Sequence, residues 1–364
     1  MPCEELSFGD FGELLQAKVG GRRELLSATL GLTDRCNLRC VHCFVHEPDR
    51  DREIKDRELT TAQWMDILDQ LAEMGCLSLL ITGGEPLLRD DFVEIYTHAK
   101  RRGFLITLFT NGTLLTQELV ELLASWYPRA IEVTLYGLTR ETYGAVTGNP
   151  AAFERCMKGV EMLVEAGLPL RLKAMAMRPT VVEIPAMYEY AAGLGVPFRH
   201  DGMVWQPFFD KDVRELRLSP EEIVDLDRLQ PIAESEFLRV YERHNRIVAS
   251  KSEEDRRRLY QCGGGHQSGY VDPYGVLGLC QMVGSGVYDL TRGNLRAGWE
   301  AVGEFRATTL APRDSVCQTC PLAGLCAPCP ARAQMEHRDP MAVVEVACQV
   351  AHLRAERLGL NVGS

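Results

Sequence analysis

The sequence predicts an α/β fold, a parallel sheet of six strands with helices packed outside it. Three observations carry that prediction. Between residue 26 and about residue 205, short apolar and often β-branched runs alternate with stretches of helical periodicity. Several helical stretches stop at a glycine able to take the left-handed cap: Gly75, Gly103, Gly167 and Gly195. The chain has 364 residues, 46% of them hydrophobic, enough for one large α/β domain and a smaller one.

The strand-like runs are residues 26–32, 77–82, 105–110, 130–135, 170–177 and 197–205. The helical patterns between them are 60–74, 91–102, 117–126, 152–166 and 182–194, and Thr60 with Gln63 forms a capping box that opens the first. Parallel strands need crossover connections, so six such units imply one sheet with its helices outside. Functional residues on such sheets gather at the carboxyl ends of the strands. After about residue 206 the rhythm breaks. A charged helical stretch, 220–259, leads into a glycine- and cysteine-rich region, 260–364, too poor in long apolar runs for a conventional core. The organisation read from this is an N-terminal extension (1–25), a βα domain (26–219), a helical linker (220–259) and a C-terminal cysteine domain (260–364).

Forty basic and fifty-one acidic residues give a net charge of −11, which offers no general footing for nucleic acid or an anionic membrane. A basic run at 256–258 reads as a solvated helix face. The N-terminus lacks the basic and apolar regions of a signal peptide, and no apolar run is long enough to span a membrane. The chain reads as cytoplasmic. Thirteen cysteines in a reducing compartment argue for metal binding rather than a disulfide framework. Ten of them fall into patterned groups; Cys3, Cys76 and Cys156 are left over and read as structural.

The first group, Cys36, Cys40 and Cys43, lies in the loop TDRCNLRCVHCF after the first strand, spaced C-x3-C-x2-C. A four-iron cluster needs four outside ligands, so three thiols leave one iron open, as a catalytic metal site requires. The alternative is a zinc site completed by His42 or His46. The second strand ends in Gly83-Gly84-Glu85-Pro86: two glycines permit close backbone approach, and Glu85 can accept hydrogen bonds from an ammonium group.

With the cysteine loop and GGEP at neighbouring strand ends, the sequence resembles the radical SAM superfamily. The resemblance implies a partial (β/α)6 TIM barrel. It also implies a [4Fe-4S] cluster on the three cysteines, with its open iron chelated by S-adenosylmethionine. Cleavage of that cosubstrate by one electron gives a 5′-deoxyadenosyl radical that removes an unactivated hydrogen atom. By the same resemblance His42 fills the usual aromatic place before the third cysteine, followed by Phe44. Gly83, Gly84 and Glu85 receive the methionyl amino group, and Asn111 and Thr134 lie near the cofactor ribose and carboxylate. Where relatives often carry an arginine for the carboxylate, ETYGAVTG offers Thr147.

The C-terminal cysteines read C262-x12-G275-x4-C280, C317-x2-C320-x5-C326-x2-C329 and C348, with a DPYG hairpin turn at 272–275 and the stretch RGNLRAGW. This resembles the SPASM extension of radical SAM enzymes, and implies a C-terminal iron–sulfur SPASM domain holding two further [4Fe-4S] clusters, three in all. The implied ligand sets are Cys317, Cys320, Cys326 and Cys348 for one and Cys262, Cys280 and Cys329 for the other, with no fourth cysteine for the latter. A zinc ribbon made by Cys317, Cys320, Cys326 and Cys329 is the alternative, and would strand the other three.

The implied activity is modification of a ribosomally synthesised precursor peptide. The implied partners are a separate leader-binding protein, since only about twenty-five residues precede the first strand, and an electron donor such as flavodoxin or ferredoxin. Three alternatives stand beside this reading. A sulfatase-maturating enzyme would be expected to carry an aspartate after the second SPASM cysteine, where Gln281 stands. A small-molecule or cofactor-precursor oxidase is the second, and a noncatalytic iron–sulfur carrier the third. No catalytic acid or base is assigned; Asp201, with Trp205 nearby, either faces the substrate or caps backbone donors at the rim.

Overall fold

The computed structural model describes residues 14–15, 18–19, 21–45, 51–230, 233–283 and 286–360. Cys3, His46 and most of the N-terminal extension lie outside the described residues.

The six expected strands form one parallel sheet in chain order: β1 (Ser27–Gly31), β2 (Ser78–Thr82), β3 (Leu105–Thr110), β4 (Ala130–Thr134), β5 (Leu170–Met175) and β6 (Phe198–Asp201). The last is shorter than its apolar run, because the chain turns away after Asp201. The crossovers place α1 (Asp51–Arg57) and α2 (Thr61–Glu73) after β1, α3 (Phe92–Arg101) after β2 and α4 (Gln117–Ser125) after β3. They place α5 (Arg140–Thr147) and α6 (Ala152–Glu165) after β4 and α7 (Ile184–Gly193) after β5. The Thr60–Gln63 capping box is formed, and Gly75, Gly103, Gly167 and Gly195 all have positive φ. The apolar stripe of α2, with Trp64, Ile67, Leu68 and Leu71, is buried against the sheet, as is that of α3 with Phe92, Ile95 and Tyr96. Each such side chain contributes roughly 1.5–3 kcal/mol. Two helices of the βα domain were not read from the sequence: α1, within a charged stretch, and α5, within ETYGAVTG.

The linker folds as α8 (Pro220–Leu226), α9 (Ala233–Ser250) and α10 (Glu253–Arg257). Beyond it the DPYG hairpin joins β7 (Ser268–Val271) to β8 (Val276–Gly278), with Asp272 Oδ1 accepting from the amides of Tyr274 and Val276. The expected boundary near residue 260 is no break in the sheet. Strand β7 pairs in parallel with β1, and β8 and β9 (Tyr288–Asp289) extend it antiparallel, giving nine strands in the order β6-β5-β4-β3-β2-β1-β7-β8-β9. The C-terminal region then runs through α11 (Leu295–Thr308), α12 (Val316–Thr319), α13 (Ala323–Cys326), α14 (Pro330–His337) and α15 (Glu345–Arg357). Cys76, buried before β2, and Cys156, buried on α6, occupy the structural places expected of them.

The end of β2 is packed against the cysteine loop at backbone distance. A Cβ at Gly83 would lie 2.3 Å from the Thr33 carbonyl oxygen, and one at Gly84 2.3 Å from that of Arg35. Gly84→Ala is therefore expected to lower stability by about 1–3 kcal/mol through overpacking, read as a lower urea midpoint. Gly193→Ala, at a position with nothing within 4 Å of the added carbon, should leave the midpoint unchanged or slightly raised.

Candidate active site

The cysteine loop leaves β1 at the carboxyl edge of the sheet and is held from three sides. From β2, the Gly84 amide donates to the Thr33 carbonyl (2.7 Å) and the Glu85 amide to that of Arg35 (2.9 Å). From α5, the carbonyls of Thr147 and Val146 accept from the amides of Arg39 (3.0 Å) and Val41 (2.8 Å). From the segment after β6, the Lys211 ammonium donates to the Cys40 carbonyl (3.2 Å).

Beneath the loop lies a buried charge network. Glu58 accepts from the Thr33 hydroxyl and, bidentately, from Arg35 at 3.1 and 3.0 Å. Arg89, 8% exposed, donates to the carbonyls of Leu32 (3.1 Å) and Leu59 (3.0 Å), pairs bidentately with Asp91 at 2.8 Å, and lies 3.6 Å from Glu58. Both ends of the loop's approach are thereby fixed to the start of α2 and the end of β2.

Cys36, Cys40 and Cys43 face one another across this loop. Burial pushes the Cys36 thiol up to about 12, and that of Cys40 higher still. On their own Cys36 and Cys40 stay protonated at neutral pH, and only a cationic partner would ionise them. That donor set fits a cationic iron–sulfur centre. The Asn111 side-chain amide points at Cys36 Sγ (3.8 Å) and donates to Asn37 Oδ1 (2.9 Å), while its own oxygen accepts from the amide and hydroxyl of Thr113. Asn37 closes the set by donating to the Thr113 hydroxyl (2.8 Å). The Tyr136 hydroxyl hydrogen-bonds the Cys40 thiol. His42 Nδ1 is buried with no hydrogen-bond partner among the described residues, and burial pushes the imidazole down to about 4, so the ring is neutral. An orphaned polar atom beside the third cysteine fits a further group at this place.

Glu85 is wholly buried. Its Oε1 accepts from the Leu87 amide (3.1 Å) and the Thr110 hydroxyl (2.8 Å), and its Oε2 from the Asn111 amide (2.7 Å). It thus ties the end of β2 to the end of β3. Burial outweighs these three donors and pushes its carboxyl up to about 7. The backbone brought close by Gly83 and Gly84 is the cysteine loop itself. Thr147 is buried, its hydroxyl turned to the Tyr143 and Asn149 carbonyls, so it serves α5 and is not poised for a carboxylate. Asp201 is exposed and accepts from the Met203 amide (2.9 Å), the rim-cap arrangement.

The face of the sheet that carries Thr134 bears charges. Thr134 pairs in register with Lys173 on β5, and Lys173 with Arg199 on β6. Glu132 accepts from Arg199 at 2.8 Å and lies 3.8 Å from the Lys173 ammonium, which sits over the Phe109 ring. Burial lowers Lys173 to about 7. Sequence reading missed Asn37, Glu58, Arg89, Tyr136, Lys173 and Lys211. A charged residue inside an apolar strand, as in AIEVT and LRLKAM, was the available signal for the strand pair.

The second array divides into two neighbourhoods. Cys280 faces Cys329 and Cys262; Cys326 faces Cys348, Cys317 and Cys320. A cavity of about 460 Å³ touches six of these seven, all but Cys320. No three of the described His, Cys, Asp and Glu side chains converge closely enough to hold a single ion. A second cavity of about 350 Å³ lies between the loops, walled by Phe44, Phe208 and Phe209, by Asp34 and Asp272, and by Cys280. Burial lifts Asp34 to about 6 against the hydrogen bond from Tyr274.

Arg89→Met would strip Asp91 of its partner and leave the Leu32 and Leu59 carbonyls without a donor. It is expected to cost about 3–5 kcal/mol, measured by urea unfolding of the isolated protein. Arg140→Met, which breaks an exposed pair with Glu154, should cost under about 1 kcal/mol.

Comparison with known proteins agrees with this geometry. The AdoMet-dependent heme synthase of Methanosarcina barkeri is 36% identical over 169 residues, 46% of this chain and 48% of that protein. The PqqA peptide cyclase of Granulibacter bethesdensis is 31% identical over 164 residues, 45% of this chain and 43% of that protein. The chain thus spans about half the length of the curated relatives it matches. Streptococcus suis SuiB, solved with S-adenosylmethionine and separately with its precursor peptide SuiA, shares the fold over 95% of this chain and 84% of its own, with a TM-score of 0.66 at 19% identity. Residues 30–191 match the Radical SAM superfamily.

Proposed function

We propose that this protein is a peptide-modifying radical SAM enzyme with three [4Fe-4S] clusters. The observation that supports it most is the 350 Å³ cavity. Phe44, next to Cys43 of the three-thiol loop, forms one part of its wall, and Cys280 of the second array forms another. A substrate there would meet both centres. Cys36, Cys40 and Cys43 would hold the first cluster, Cys262, Cys280 and Cys329 the second, and Cys317, Cys320, Cys326 and Cys348 the third. When bound, the first cluster and S-adenosylmethionine together supply a 5′-deoxyadenosyl radical able to remove an unactivated hydrogen atom.

The chain's own residues position and shield that chemistry. Glu58, Arg89 and the α5 carbonyls fix the cysteine loop, and Asn111 and Tyr136 direct polar hydrogens at its thiols. A carboxylate offers about four acceptor sites; Glu85 has three filled and keeps one for the methionyl ammonium. That cation would offset the desolvation that raises its carboxyl. His42, Phe44, Asn111 and Thr134 would line the remaining approach, and Gly83 and Gly84 act through the loop they admit. Phe208 and Phe209 give the cavity an apolar side opposite its carboxylates, where water would be excluded from a reactive intermediate.

The substrate would be a precursor peptide, delivered with a separate leader-binding protein, with flavodoxin or ferredoxin as electron donor. SuiB and the PqqA peptide cyclases support this reading. A second reading, a small-molecule cofactor precursor, draws on the heme synthase and on the Fe-coproporphyrin III synthase of Methanosarcina barkeri, 33% identical over 158 residues. Turnover assays against a candidate precursor peptide and against iron coproporphyrin separate the two.

Three clusters require about twelve irons and twelve sulfides per chain after anaerobic reconstitution. Replacing Cys36, Cys40 and Cys43 with alanine should remove about a third of that iron and abolish S-adenosylmethionine cleavage. Iron near four per chain with stoichiometric zinc would overturn the three-cluster assignment.

Glu85→Gln should weaken S-adenosylmethionine binding about 10- to 100-fold, the loss of one hydrogen bond to a charged group at about 1.5–3 kcal/mol. Equilibrium dialysis on the reconstituted protein measures it. The amide also turns an N–H toward one of three donors, so a modestly lower urea midpoint should accompany the loss. Unchanged affinity would reduce Glu85 to a link between strands.

A further inference from the structure

One cation in the C-terminal region has no ion-pair partner among the described residues. Arg332 lies in the first turn of α14, three residues past Cys329, which caps that helix. Its guanidinium stacks 4.7 Å over the ring of Trp205, a side chain only 6% exposed at the junction with the barrel. Its Nε is buried and has no hydrogen-bond partner among the described residues. The acid one turn further along α14, Glu336, is spent on Arg217 and on the Gln206 amide. A half-buried cation without a counter-anion is unfavourable, and this one lines the 460 Å³ cavity beside Cys326, Cys329 and Cys348, facing the Cys326 thiol.

We propose that Arg332 is the charge partner of the cluster held by Cys317, Cys320, Cys326 and Cys348, and that it raises the reduction potential of that cluster. The inference rests on the auxiliary-cluster reading above. Four thiolates make such a cluster anionic, and reduction adds one more negative charge. A cation fixed beside it would stabilise the reduced state more than the oxidised one. Trp205 holds the guanidinium in place by its ring face and excludes water from the contact. Arg332 is thus a positioning residue: it touches neither substrate nor the radical centre.

The test is an EPR-monitored redox titration of the full, anaerobically reconstituted chain. The signal that disappears in Cys348→Ala identifies the cluster concerned. In Arg332→Met that signal should titrate at lower potential, by at least tenfold in the reduction equilibrium, about 59 mV for one electron. The other two signals and the iron content should be unchanged, and Arg332→Lys, which keeps the charge, should recover most of the shift. Full iron with no shift in either variant overturns the proposal. If Arg332→Met loses the cluster, Arg332→Lys decides: a midpoint more than tenfold from the parent's shows that charge alone is not the cause, and a midpoint near the parent's supports the charge. If the parent itself holds only about four irons, the auxiliary-cluster reading has failed, and this inference with it.

Discussion

The site depends on one close contact. The backbone of Gly83 and Gly84 lies so near that of Thr33 to Arg35 that any side-chain carbon would overlap a carbonyl oxygen. Two short amide-to-carbonyl bonds cross there, and they place the cysteine loop against the end of β2. The rest follows from it. With the loop seated, Arg89 can reach the Leu32 carbonyl from β2's own continuation, Glu58 can collect Thr33 and Arg35, and Asn37 can meet Asn111. Leu38 anchors the loop in the core and Val41 packs beside it, while polar contacts made by neighbours hold its backbone. Backbone contacts are well suited to that, because they do not depend on rotamer choice.

Charge is used in two ways around this loop. Glu58, Arg89, Arg35 and Asp91 are saturated with partners and hold backbone in place. The charges on the inner sheet face are less complete: Lys173 lies 3.8 Å from its nearest carboxylate and is held partly by the Phe109 ring. Arg332 is less complete still. Saturated networks serve rigidity, and charges left unsaturated keep capacity for a further partner.

Much of the architecture was legible in the sequence because it rests on periodicity and glycine chemistry. All six strands and the long helices of the βα domain emerge within a few residues of their runs, and four glycines cap as their positions require. The grouping of the C-terminal thiols was legible only through family resemblance, since spacing alone permits a zinc ribbon. Helix α1 was hidden by a charged stretch with little apolar periodicity, and α5 by the glycine within ETYGAVTG. The roles of Glu85 and the glycine pair were read as facing a ligand. Sequence shows that a close approach is needed but not which backbone makes it, and here the cysteine loop does. The buried charge network joins residues 33, 35, 58, 89 and 91, whose proximity depends on tertiary folding alone.

The pairing of β7 with β1 has a consequence for how the chain is made. Ser27 and its partner segment are about 240 residues apart in sequence, so β1 completes its hydrogen bonding only after most of the polypeptide has been synthesised. Until then the strand that leads into the thiol loop is an exposed edge, open to pairing with another chain. Folding of the first six strands cannot remove that edge, and long-range parallel pairing is slow to form. Any truncation ending before residue 268 keeps the edge permanently, which makes the barrel alone a poor soluble fragment.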